Sequence, residues 1–267
     1  METDTKSPDL PPSYEDTLVQ EGSKEVNLPP AVLLLEGQSI RDELSAHLYQ
    51  LSRTVTTLPR TTLKSSSVIF ERVEHDAPEK AGASETLQPK HQHLFYLAHP
   101  ADAQYRTDIP AYYITSVDAE TVGNIHFETS KSRLQKTEFT ALLSAKRTAS
   151  HRPLFDEAGK LVTLFNARPK WMGSCYSWMD RNGHQLAFED RKGEQHKLVI
   201  TSPMSQDTRD ALTAMWVLRL WYETAESKQA KKEAMERMMP PVSYQDLRLG
   251  KRVGGLGALA ALGGGGG

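Results

Sequence analysis

Through the middle of the chain, apolar and polar residues alternate at a spacing of two. That spacing places the apolar set on one face of a β-strand. The pattern predicts strands over 31–35, 47–56, 67–73, 93–99, 111–117, 122–128, 138–145, 160–167, 173–179, 184–189 and 195–201, with β-branched and aromatic residues concentrated inside these runs. Turn residues punctuate them. Asp180-Arg181-Asn182-Gly183 contains the Asn-Gly pair suited to a type I′ hairpin, and Asp190-Arg191-Lys192-Gly193 and Asp156-Glu157-Ala158-Gly159 read as further turns. Residues 154–201 therefore form an antiparallel meander.

The pattern then changes. Residues 207–237 contain neither Gly nor Pro and follow Pro203, so they predict a helix capped by Asp207 with Asp210 in its acidic first turn. Its first half is apolar on nearly every side: Leu212, Met215, Trp216, Val217, Leu218, Leu220 and Trp221, interrupted by Thr213 and Arg219. A helix lying on a surface needs only an apolar stripe, whereas one apolar all round needs surroundings on all sides. The arrangement that satisfies many antiparallel strands and one such helix is a closed β-barrel wrapped around it, because closure also removes the sheet edges. Arg219 must then find a partner or the rim. After Thr224 the sequence becomes highly charged, and 228–239 reads as a solvated helix extension.

Composition locates what does not fold into the barrel. Only 38% of the 267 residues are hydrophobic, while 32 Lys and Arg stand against 34 Asp and Glu. Residues 1–27 carry seven acids and two bases, a net charge of −5, with few large apolar side chains to offset the entropy of ordering. The near-neutral total of −2 thus divides into an acidic tail and a mildly basic remainder. Residues 76–91 read as a disordered loop and 240–267 as a Gly-rich tail. One domain over 28–227 remains, with its central helix at about 207–224. The near-neutral balance argues against a nucleic-acid partner. The single cysteine, Cys175, excludes an intramolecular disulfide framework and suits a reducing compartment. No secretory signal and no run of 18 apolar residues occur, so a soluble, cytoplasmic, monomeric protein is expected.

The order of elements resembles the tubby C-terminal-like superfamily, which includes LURP-one-related proteins and phospholipid scramblases, and is most like its fungal members. The resemblance rests on VLLLEGQSI (32–40), LYQLSRTVT (48–56), VIFERV (68–73), YSWMDRNGHQLAFED (176–190) and KLVITSPMSQDTRDALTAMWVLRLW (197–221), and covers about 30–225. It implies a mainly β fold, a closed antiparallel barrel of about twelve strands around a C-terminal hydrophobic α-helix. It implies no shared enzymatic activity. Tubby members bind phosphoinositides through basic residues, and scramblases carry a Pro-rich N-terminus with a Cys-rich segment, of which this chain has only the former.

One motif is sharp. Leu10-Pro11-Pro12-Ser13-Tyr14-Glu15 contains PPxY, the ligand pattern of WW domains. Consecutive prolines are already in the polyproline II conformation, so docking on aromatic rings costs little entropy, and Tyr14 offers a ring and a hydroxyl to a second pocket. At this chain's Pro and Tyr content the motif is expected by chance only about 0.03 times. The partner it predicts is a WW-domain protein, for which a HECT-type ubiquitin ligase is the obvious class, with Pro11, Pro12 and Tyr14 as the binding residues. Pro240-Pro241-Val242-Ser243-Tyr244 has one residue too many and reads as a degenerate copy.

The remaining signals are weaker. Lys146, Arg147, Arg168 and Lys170 are candidates for contact with an anionic lipid, since the last pair precedes Trp171 and a basic turn beside Trp suits a membrane surface. This supplies an alternative reading as a peripheral lipid binder. His91 and His93 share a strand face beside His99 without an acid or Cys to complete a metal site. Cys175 reads as a small buried hydrophobe. Asp156, Glu157, Asp180, Glu189 and Asp190 fall near turns and read as solvated carboxylates. No GxSxG, P-loop, HExxH or GxGxxG occurs. The sequence therefore predicts a non-enzymatic interaction protein with no catalytic set, cofactor or metal.

Overall fold

The computed structural model describes residues 27–57, 67–74, 89–100, 109–131, 136–170, 175–192 and 195–227. Twelve strands close into one antiparallel barrel: β1 (Ala31–Glu36), β2 (Ser39–Asp42), β3 (His47–Leu51), β4 (Ser67–Glu74), β5 (Lys90–Ala98), β6 (Tyr113–Ser116), β7 (Gly123–Lys131), β8 (Thr137–Ala145), β9 (Val162–Pro169), β10 (Tyr176–Met179), β11 (Gln185–Lys192) and β12 (Gln195–Ile200). Each strand pairs with its neighbours in sequence, and β1 closes on β12 with Ala31 opposite Ile200. The helix α1 (Gln206–Ala225) follows β12 and runs back through the lumen.

The helix fills the barrel because side chains alone could not. Small barrels of about eight strands are filled by their own side chains, and larger ones enclose a cavity. Here the lumen takes a helix about 10 Å across. Thirteen consecutive α1 residues, Arg209 to Trp221, are buried. Leu33, Phe70, Phe95, Ile114, Ile125, Phe165, Trp178 and Leu198 converge on them from the wall. Small residues on both sides, Ala141, Ala167 and Ala187 on the wall and Ala211 and Ala214 on the helix, allow close approach.

Several boundaries differ from the sequence pattern, each for a local reason. The predicted strand at 47–56 ends at Leu51, and β2, whose four residues SIRD hold a single large apolar side chain, is an extra strand. β5 begins at Lys90, inside the predicted loop 76–91. The turn before β11 is not type I′. Gly183 (φ 85°) is the left-handed residue, its N–H donating to Asp180 O, while Asp180 Oδ1 accepts from the N–H groups of Asn182 and His184. Asp190, Arg191 and Lys192 continue β11 rather than turning, and 158–160 is a short 3₁₀ turn inside the long β8–β9 connection. The helix cap is Ser205, whose Oγ accepts from Thr208 N, and Asp207 sits in the first turn.

Candidate functional site

α1 divides the barrel into two rims, one where the helix begins and one where it finishes. Each end of the buried helix carries a polar cluster. At the starting rim, Asp210 Oδ1 accepts from Tyr49 Oη at 2.7 Å and Oδ2 from Arg72 Nη1 at 2.6 Å, with Gln206 as a third donor. The strand pattern places these partners, because Tyr49 and Arg72 lie opposite each other on β3 and β4. A second register effect adds Gln92. β5 carries an extra residue at Leu94, which shifts its phase and brings Gln92 onto Arg72. Burial pushes the Tyr49 hydroxyl well above its ordinary range, reinforced by the Asp210 charge. Burial also raises Asp210 against the pull of its donors.

Near the finishing rim, Arg219 is only 2% exposed, and its Nε lies 2.7 Å from Glu189 Oε1. Trp178 Nε1 donates to the same oxygen at 3.0 Å, Glu223 takes Arg219 Nη1 at 3.1 Å, and the Tyr176 ring lies 4.6 Å from the guanidinium. Arg219 thus finds partners, as its place in an apolar helix requires. Glu189 corrects the reading of a solvated carboxylate: it is 6% exposed and faces the lumen. Burial raises its carboxyl to about 7, against the opposing pull of Arg219 and Trp178. Cys175, nearby, is half-buried rather than buried.

On the outer wall, a groove of about 820 Å³ opens between β6–β7 and the β8–β9 connection. Tyr113 and His126, opposite each other in register, form its floor, and Phe155 packs on both, 5.6 Å from Tyr113 and 5.7 Å from His126 between ring centroids. Buried Asn124 holds the connection in place by donating to Thr148 O and Leu154 O, and Arg147 anchors it through Asp156 and Pro153 O. The strand pattern did not reveal this groove, because its far wall comes from an irregular segment.

The sequence-derived candidates scatter. Lys146 and Arg147 end β8 at the starting rim, whereas Arg168 and Lys170 end β9 at the finishing rim. They do not form one patch. Arg147 is engaged by Asp156 at 2.8 Å, the Lys170 ammonium lies 3.9 Å from the Phe188 ring centroid, and Lys146 and Arg168 are exposed. His91 pairs with Glu71, and the His93 ring meets Phe95 O. Among the described residues no cluster of three or more His, Cys, Asp or Glu could hold a metal ion, and no helix is long and apolar enough to cross a membrane. Pro11, Pro12, Tyr14 and the 240–244 segment lie outside the described residues. Comparison of the chain with protein-family models, curated proteins and solved structures finds no match.

Proposed function

We propose that this chain is a non-enzymatic interaction protein of tubby-like architecture. On this reading the barrel is a scaffold, and the acidic N-terminal segment recruits a WW-domain protein, such as a HECT-type ubiquitin ligase, through Pro11, Pro12 and Tyr14. The observation that carries the reading is the PPxY motif within a segment of net charge −5. The fold supports it by what occupies the lumen. Where a large barrel would hold a ligand, this one holds its own helix, packed by Trp216, Trp221 and Met215. The first described residues also lie at the barrel surface, where Leu28 bridges to Met204 beside the start of α1. Pull-down of the full chain by isolated WW domains tests the proposal. Capture of wild type and loss with Tyr14→Ala is expected; equal capture of both would reject it.

A second reading, peripheral binding to anionic lipid, is favoured by exposed Arg168 beside Lys170 at the finishing rim, flanking Trp171 in sequence. Exposed charges act within a Debye length of about 10 Å at 0.1 M salt. Flotation with anionic vesicles should therefore occur at low salt and weaken with Arg168→Glu. Absence of flotation at low salt would exclude the reading.

A further inference from the structure

We propose that the groove between β6–β7 and the β8–β9 connection binds an organic cation, an alkylammonium group carried on an apolar body. Aromatic faces attract cations through the ring quadrupole, most strongly where water is displaced. The groove brings three rings together, Tyr113, His126 and Phe155, with the Tyr113–Phe155 pair at 82° and the His126–Phe155 pair at 46°. All three rings line the same space.

A carboxylate stands beside them. Glu128 follows His126 on the same face of β7, is half-exposed, and lies 3.9 Å from His126 Nε2. Burial lowers the His126 pKa below its ordinary value, so at neutral pH the imidazole is an uncharged ring that does not cancel Glu128. Among the described residues two further charged side chains line the groove, Asp156, which is paired, and Arg152, which keeps its positive charge but is held by the β8–β9 connection. Asp156 accepts from Arg147, and Arg152 Nη1 donates to Ala149 O and His151 O. Apolar Ile109, Pro110, Leu154 and Leu161 line the remainder. The volume of about 820 Å³ exceeds what a bare ammonium fills and falls in the range of small-molecule sites, which is why the ligand is a cation on an apolar body. The walls are set before any ligand arrives. Asn124 is fully buried and donates to two carbonyls of the connection, while Asp156 N donates to Ser144 Oγ.

The test is a ligand-observed NMR titration of the full chain with choline, with benzyltrimethylammonium, and with 3,3-dimethylbutan-1-ol, the neutral isostere of choline. The proposal expects saturable binding of both cations, tighter for benzyltrimethylammonium, with the alcohol at least fivefold weaker than choline. Glu128→Gln, an exposed change that leaves the fold intact, should weaken the cations at least fivefold, and Phe155→Ala should abolish saturation. Phosphatidylcholine vesicles form a separate arm: Glu128-dependent capture places the cation on a lipid headgroup, and binding of the free cations alone places it on a soluble ligand. Equal binding of alcohol and choline, unchanged affinity in Glu128→Gln, or no saturable binding in any arm would overturn the proposal.

Discussion

Glu189 shares its buried carboxylate oxygen between Arg219 and Trp178, so its titration is coupled to folding. Its folded pKa of about 7 lies above the value near 4.3 of an unfolded chain. The folded state therefore takes up a proton more readily than the unfolded one. The group's favourable contribution is complete below about pH 4.3 and is lost as pH rises through 7. Replacing it with Gln removes that dependence. The stability difference between Glu189→Gln and wild type should move in the variant's favour by about 1 kcal/mol from pH 6 to pH 8.5, whatever the constant cost of leaving Arg219 without its carboxylate. Parallel thermal melts across that range measure it, and a constant difference would show that Glu189 does not titrate there. At the other cluster, Tyr49→Phe deletes one donor to buried Asp210 and should cost about 1–3 kcal/mol in urea unfolding. The sequence displayed Arg219 as a charge needing a partner but concealed the partner. In HQLAFE the large apolar residues Leu186 and Phe188 sit half-buried on the outer face, while Ala187 and Glu189 face inward. A reading that sends the larger apolar residues inward gets this strand's face wrong.

Among the elements, the helix was the most legible, because a segment apolar on all sides has few stable environments other than a lumen. Strand boundaries were less so. β2 carries too few apolar residues to announce itself, and the register shifts at β5 and β9 break the period of two. The start of β7 shows how tightly these elements meet. Gly123 has φ 115°, and a Cβ placed there would lie 2.5 Å from Ser144 O of β8. Gly123→Ala forces both a rare backbone conformation and a clash. It should destabilise by about 2 kcal/mol or more, read as a lower urea midpoint. Ser205→Ala removes the helix cap and should cost about 1 kcal/mol by the same assay. A Gly123→Ala variant as stable as wild type would mean that β7 and β8 do not meet in this register.

For the whole molecule, the closed barrel was readable because alternation, turn chemistry and one unusual helix pointed to the same architecture. The surface sites were not. The four basic residues resembled a set in sequence, but the antiparallel β8–β9 pair sends them to opposite rims. The aromatic groove depends on a connection whose course no periodicity encodes. The PPxY motif is the reverse case: it was read from six residues, and no fold was needed to find it. The barrel's described ends, Asn27 at the starting rim and Ser227 at the finishing rim, leave the N-terminal segment joined to one end of a scaffold whose lumen is already full. The most direct measurement is calorimetric titration of the full chain, wild type and Tyr14→Ala, with a panel of purified WW domains. Saturable binding of wild type to at least one domain, weakened tenfold or more by Tyr14→Ala, is the predicted result. No binding to any domain, or equal affinity in both chains, would contradict the account.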